Sequence, residues 1–80
     1  YPTGSLARLD NKLLAVVIAQ NPISPLKPLV RAVFNTKDNS FIEPVMIDLG
    51  KLESGTKILK YENPCDFGIE ITDFMPDEMD

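Results

Sequence analysis

The sequence predicts an all-β fold, a small SH3-like barrel of about five short strands with one helical turn near the C-terminus. Short runs of apolar or alternating residues are separated by clusters of turn-forming residues, which is typical of strands and hairpins. The longest apolar run, residues 13–19, contains the triplet Val16-Val17-Ile18, and β-branched residues favour strand over helix. A single helical signal occurs, near residues 63–67.

The first two strands are predicted as a hairpin. Residues 1–4 read as an entry turn, and residues 5–9 are the first strand. Asp10-Asn11-Lys12 supplies turn chemistry before a second strand over residues 13–20. Both alternating sets of the second strand are apolar, so an open sheet would leave one set in water. We therefore expect this strand to be covered on both sides, either by the sheet curling over itself or by a docked domain.

The segment over residues 21–28 carries a proline at every third position, at Pro22, Pro25 and Pro28. This spacing favours an extended, polyproline-like course without ladder hydrogen bonds. It also fits the PxxP spacing of peptide ligands. Because the segment lies between two strand-like runs, a stiff connection between strands is the favoured interpretation.

The next strand, residues 29–34, is predicted to turn Val30, Ala32 and Phe34 inward and Arg31 outward. A polar hairpin loop over residues 35–40 follows it.

Two further runs, residues 41–43 and 45–49, are separated by Pro44, which indicates an edge position because proline cannot donate to a ladder. Phe41 is predicted to lie in the core, as are the inward residues Val45, Ile47 and Leu49 of a half-buried strand. Residues 56–61 are the last predicted strand.

The end of the predicted domain is a short helical turn. Asn63 is its N-cap, Pro64 its first residue and Gly68 the residue after its end. The apolar residues that follow are expected to cover one open end of the barrel: Ile69, Ile71, Phe74 and Met75. We assign residues 1–75 to the barrel domain and residues 76–80 to an acidic flexible tail.

Composition excludes several classes of protein. The seven-residue apolar run is far shorter than the roughly 20 residues of a membrane span, so no membrane association is predicted. Residues 1–60 hold all eight basic residues against five acidic ones, whereas residues 61–80 hold seven acidic residues and no basic one. This balance argues against nucleic-acid binding.

A lone cysteine fits a reducing cytoplasm, because it cannot form a disulfide within the chain. The start on Tyr1-Pro2 without Met indicates a fragment of a longer protein.

No catalytic, cofactor-binding or metal-ligating residue is predicted. The chain has no histidine, which removes imidazole-based acid–base catalysis and metal ligation. Cys65 is interpreted as a small, partly buried structural residue, and the acidic C-terminus lacks the spacing and glycine of an EF-hand. Six basic residues are the candidates for an anion-binding face, the alternative being ordinary solubilising charge: Arg8, Lys27, Arg31, Lys51, Lys57 and Lys60. The first three are the leading candidates for contact with an anion or a partner.

Several spaced elements of the sequence recur together in one family. They are Tyr1-Pro2-Thr3-Gly4-Ser5-Leu6, Ala15-Val16-Val17, Asn21-Pro22, Pro25-Leu26-Lys27-Pro28, Val30-Arg31, Asp48-Leu49 and Asn63-Pro64-Cys65-Asp66-Phe67-Gly68-Ile69. Over residues 1–75 the chain resembles the small β segment that follows the catalytic domain in many bacterial HD-GYP proteins, whose members typically hydrolyse cyclic di-GMP.

The resemblance implies a non-catalytic accessory domain of a cyclic-di-GMP phosphodiesterase or a related signalling protein. None of the metal ligands of the HD-GYP catalytic domain is present, so no catalytic residue carries over. The implied partner is the adjacent catalytic domain of the same chain or another protein. Two alternatives remain open: a free-standing SH3-like interaction module, and an RNA-binding small barrel, which the charge disfavours.

Overall fold

A computed structural model describes residues 2–76 of the chain. Its elements are the strands β1 (Leu6–Leu9), β2 (Leu13–Ala19), β3 (Leu29–Asn35), β4 (Ser40–Asp48) and β5 (Ile58–Glu62), and the 3₁₀ helices η1 (Leu52–Ser54), η2 (Pro64–Phe67) and η3 (Ile71–Phe74). The strands form one antiparallel sheet in the order β4-β3-β2-β1-β5. The all-β prediction is therefore confirmed. Because β4 and β5 do not pair with each other, the sheet is not closed, and the predicted SH3-like barrel is not confirmed.

Both faces of the sheet are buried by the chain's own residues. One buried cluster, which we call the curl face, contains Ala7, Leu9, Ala15, Val17, Val30, Ala32 and Leu49. Side chains from both edge strands pack against it, including Ile42 and Ile47 of β4 and Ile58 and Tyr61 of β5, so the sheet curls over this side. The prediction that β2 is covered on both sides is confirmed, and within the described residues no second domain is needed for it.

The opposite side, the cover face, is closed by the C-terminal segment. Its buried cluster contains Leu6, Leu14, Val16, Val33, Phe34 and Ile69. Phe67, Ile71, Phe74 and Met75 pack against this cluster from η2, η3 and the residue after η3. The predicted covering residues therefore do cover apolar surface, although they lie on a face of the sheet and not over the end of a barrel.

A bulge in β3 places two consecutive residues on the cover face. Leu14 and Ala15 are adjacent on β2, but they pair with Phe34 and Ala32, which leaves Val33 as an extra residue. Such an insertion shifts the alternation of side chains by one position. Val33 and Phe34 are consequently both buried on the cover face. The prediction that Phe34 shares a side with Ala32 is wrong, although both residues are buried.

The two runs around Pro44 form one strand, β4, which lies at the edge of the sheet as predicted. Two of its residues contradict the predicted core: Phe41 is 53% exposed and Val45 is 49% exposed. An edge strand has a neighbour on one side only, which leaves its side chains less covered than those of a central strand. Leu49, just beyond the strand, is buried as predicted.

The proline-containing connection between β2 and β3 is a folded loop. The Asn21 Oδ1 atom accepts hydrogen bonds from the amides of Ile23 at 3.0 Å and Ser24 at 3.1 Å. The Lys27 amide donates to the Ser24 carbonyl at 2.9 Å, which closes a β-turn. The predicted polyproline-like course is therefore wrong. β2 and β3 are antiparallel neighbours, so their connection has to reverse direction, and the Asn21 side chain stabilises that reversal.

The short helical turn near the C-terminus is confirmed as η2. The Asn63 Oδ1 atom accepts a hydrogen bond from the Cys65 amide at 3.0 Å, and Pro64 is the first helical residue. Gly68 ends the turn at φ 69°, in the left-handed region that favours glycine. Cys65 is exposed, which corrects the predicted partial burial. Tyr1 and residues 77–80, most of the predicted acidic tail, lie outside the described residues.

Candidate functional site

Two of the three leading basic residues have partners within the fold. Arg8, on β1, donates from Nε to Oε2 of Glu62 at the end of β5, and its guanidinium carbon lies 5.9 Å from the centroid of the Phe67 ring. Arg31, on β3, donates from Nη1 to the Phe74 carbonyl at 2.7 Å. Both arginines therefore lie beside the C-terminal segment and hold it against the cover face, which leaves them less available for a ligand.

Lys27, the third leading candidate, lines a surface depression. Arg8 and Arg31 are not part of its lining. The depression has a volume of about 360 Å³. Its lining residues are Asp10, Lys27, Leu49, Gly50, Lys51, Gly55, Thr56 and Lys57. They come from the β1–β2 turn, the β2–β3 loop and the connection from β4 to β5. The fold thus brings together three lysines that are distant in sequence, and we call this place the lysine depression.

Two of the loops that line the lysine depression lie in close contact. The Asn21 Nδ2 atom donates to the Lys27 carbonyl at 3.2 Å. A Cβ atom on Gly50 would lie only 2.7 Å from Asn21 Nδ2, closer than non-bonded atoms approach. Glycine at this position therefore allows the β2–β3 loop to approach the β4–β5 connection.

Asp10 and Lys57, which both line the lysine depression, are joined by two hydrogen bonds. The Asp10 amide donates to the Lys57 carbonyl at 3.0 Å, and the Lys57 amide donates to Asp10 Oδ1 at 3.4 Å. In the sequence, Lys51 and Lys57 are two of the six candidate basic residues, and no local pattern groups them with Lys27. Their proximity depends on how the loops fold back, which no local pattern encodes.

The Glu62 carboxylate lies close to two basic side chains, those of Arg8 and Lys60. A hydrogen bond from Arg8 holds the pKa of Glu62 below its ordinary value, with smaller contributions from the charges of Arg8 and Lys60. Burial acts in the opposite direction. The Glu62 side chain is only 13% exposed, and Lys60 Nζ lies 3.8 Å from Oε2. The ion pair links β1 to β5, which are hydrogen-bonded neighbours in the sheet.

We expect Glu62→Gln to lower the free energy of unfolding at pH 7 by about 1 kcal/mol, because the charge-assisted bond from Arg8 is weakened. Because the pKa of Glu62 is lowered in the fold, the carboxylate stabilises the fold fully above the ordinary pKa of 4.5 and loses this effect as pH falls through the lower pKa of the folded state. Urea titrations at pH 7 and pH 3 should therefore show a larger loss of stability for the natural chain than for the variant. Glu53→Gln, on an exposed residue, is the matched control. An identical pH dependence in Glu62→Gln and the natural chain would contradict this role.

The described residues contain no group of three or more histidine, cysteine, aspartate or glutamate side chains placed to hold a metal ion. In residues 2–76 no helix has the length and apolar character required to cross a membrane.

Part of the chain is similar to a known protein. Over 62 residues the chain is 34% identical to a cyclic di-GMP phosphodiesterase of Pseudomonas aeruginosa. The chain is related to that phosphodiesterase. The aligned part covers 78% of this chain and 15% of the relative, so the chain spans only a small part of the length of the protein it matches. No protein-family model matches the chain. No solved structure matches it significantly.

Proposed function

We propose that the chain is a non-catalytic accessory domain of an HD-GYP-type cyclic-di-GMP phosphodiesterase or a related bacterial signalling protein. The observation that carries this proposal is the 34% identity over 62 residues with a cyclic di-GMP phosphodiesterase. The matched residues make up 15% of the length of that relative. In the proposed parent protein the domain follows the catalytic domain, packs against it in the cytoplasm and couples to its activity.

The side-chain chemistry supports a non-catalytic role. The sequence has no histidine to ligate a metal or to transfer a proton near neutral pH. The Glu62 carboxylate is paired with Arg8, which lowers its pKa, away from neutrality. A general acid or base acting near pH 7 needs a pKa shifted toward that value.

The edge strand β4 supplies the apolar surface for packing against the catalytic domain. Phe41 and Met46, which pair with Phe34 and Arg31, are 53% and 45% exposed on the side of the cover face. Val45, which pairs with Ala32, is 49% exposed on the opposite side, so the apolar surface extends around the edge of the sheet. The Phe41 ring stacks on Phe74 with centroids 6.1 Å apart, which joins this surface to the C-terminal segment. Aromatic residues and methionine are enriched in protein interfaces. The remainder of the parent protein is the occupant we assign to this surface, because the relative extends far beyond the matched part.

The purified chain should show no cyclic-di-GMP hydrolysis above background, with or without added manganese or iron, as measured by chromatography of the products. In the full-length parent protein, Val45→Glu combined with Met46→Glu should reduce the hydrolysis rate or the melting temperature of the catalytic domain, because two charges would be placed in the interface. Ile23→Glu, at a site that is 91% exposed in the β2–β3 loop, is the control and should change neither.

Turnover by the isolated chain would contradict the non-catalytic role. Indistinguishable rates and melting temperatures for the β4 variant and the Ile23 control would contradict packing through β4.

The exposed apolar residues of β4 also fit a free-standing SH3-like interaction module that binds a peptide or partner protein. The two functions differ in what the complete gene encodes. A metal-binding His-Asp helical domain encoded directly upstream supports the accessory role, whereas a gene that encodes little beyond this domain supports the interaction module.

For either role we expect no salt-sensitive binding of short single-stranded RNA in fluorescence polarisation, because the chain carries a net charge of −4.

A further inference from the structure

The lysine depression is lined by three lysines whose charges are not neutralised by ion pairs within residues 2–76. Lys27, Lys51 and Lys57 line it, and none of the three forms an ion pair with a carboxylate in residues 2–76. The basic residues on the sheet behave differently, since Arg8 and Lys60 pair with Glu62 and Arg31 donates to the Phe74 carbonyl. Three lysines that form no ion pair in residues 2–76 therefore line one concave surface, unlike the basic residues of the sheet.

The charge of the lining is opposite to that of the whole protein. The chain has a net charge of −4, whereas the lysine depression holds three lysines and a single acidic residue, Asp10. Oδ1 of Asp10 accepts a hydrogen bond from the Lys57 amide. Oδ1 of the neighbouring Asp48 accepts one from the Gly50 amide at 2.9 Å. These carboxylates stabilise the loops and form no ion pair with the three lysines in residues 2–76. The lysines outnumber the single lining carboxylate, and a cleft with an excess of positive charge attracts anions.

Volume and lining limit the class of ligand. A volume of about 360 Å³ lies near the lower end of the roughly 300–1,000 Å³ range of ligand pockets. Leu49 is the one apolar side chain in the lining, and the others are lysines, glycines, Asp10 and Thr56. Lysine binds phosphate as a point charge with several donor hydrogens.

We propose that the lysine depression binds a phosphate group of a small phosphorylated ligand, with Lys27, Lys51 and Lys57 as the groups that contact it. The site depends only on the fold and does not rest on the proposed accessory role. Inorganic phosphate, a mononucleotide and a cyclic dinucleotide share this chemistry and are distinguished by experiment.

The test is a titration of the ¹⁵N-labelled chain at low ionic strength with inorganic phosphate, GMP and cyclic di-GMP in separate arms. We expect at least one probe to give saturable shifts of the amides of Gly50, Lys51, Thr56 and Lys57. Lys51→Gln combined with Lys57→Gln should weaken that binding by roughly tenfold or more, since removing one charge close to a phosphate costs about fivefold even in high dielectric. Added salt should weaken the binding further by screening.

Lys12→Gln combined with Lys37→Gln is the matched control, since it removes the same charge at two exposed residues that do not line the depression. The control should change the affinity by less than about twofold. Melting temperatures of both double variants verify that the fold is intact. Equal weakening by the two double variants would show general charge attraction and overturn the site, as would shifts that do not saturate or that occur elsewhere. The probe that binds most tightly identifies the source of the phosphate, and failure of all three overturns the site while leaving the accessory role untouched.

Discussion

Leu14→Ala should leave the chain largely unfolded at room temperature. Leu14 lies on the central strand β2 and is fully buried on the cover face. Truncating a buried leucine to alanine costs about 2–5 kcal/mol, because apolar contacts are lost and a cavity remains. A core of this size supplies only about 3–5 kcal/mol of net stability. The substitution is therefore expected to remove most of the free energy of unfolding, as measured by urea titration followed by circular dichroism.

Leu26→Ala is the matched control, because it makes the same chemical change at a leucine that is 84% exposed in the β2–β3 loop. Substitutions at such positions usually change stability by less than about 0.5 kcal/mol. Its unfolding midpoint should equal that of the natural chain. Equal midpoints for the Leu14 and Leu26 variants would mean that Leu14 is not in a core and that β2 is not the central strand.

Local patterns in the sequence predict the strands well, and β2 shows why. An unbroken apolar run with β-branched residues predicts a strand, and apolar character in both alternating sets predicts burial on both faces. Both features are properties of neighbouring residues. The structure confirms them in β2, where Leu14, Ala15, Val16 and Val17 are fully buried. The capped turn at Asn63 and Pro64 was predictable for the same reason.

Features that depend on pairing between distant strands were not predictable. The bulge at Val33 exists only relative to β2, and it moves Phe34 to the opposite face from the one that simple alternation predicts. The exposure of Phe41 and Val45 follows from the position of β4 at the edge and from the absence of a neighbour beyond it. Whether a five-stranded sheet closes is likewise decided by how its edge strands meet, which residue spacing does not specify.

The candidate site shows the same division between local and long-range information. The sequence identified which residues carry positive charge, but not which of them are already paired. Arg8 binds Glu62, 54 residues away, and Arg31 binds the Phe74 carbonyl, 43 residues away. These contacts occupy two of the three leading candidates and leave Lys27, with Lys51 and Lys57, around the lysine depression.

Ile69→Asp should detach the C-terminal segment from the cover face. Ile69 is 6% exposed and belongs to the same buried cluster as Leu14, Val16 and Phe34. A carboxylate there would lose its hydration without gaining a partner, a cost of several kcal/mol. The chain avoids this cost by releasing the segment that carries residue 69, which exposes the apolar residues beneath it. We expect a fall of about 3 kcal/mol or more in the free energy of unfolding, together with binding of a hydrophobic dye at pH 7.

Ile23→Asp distinguishes this effect from a general consequence of adding negative charge to an acidic chain. Ile23 is 91% exposed, so a carboxylate at that position stays hydrated and should leave stability and dye binding unchanged. The Ile69 variant should in addition lose the hydrogen bond from Arg31 Nη1 to the Phe74 carbonyl, so that the guanidinium Nη–H signals of Arg31 shift in its NMR spectrum. If the Ile69 and Ile23 variants unfold at the same denaturant concentration, the C-terminal segment does not cover the sheet. The second face of β2 would then have to be buried by something other than this chain.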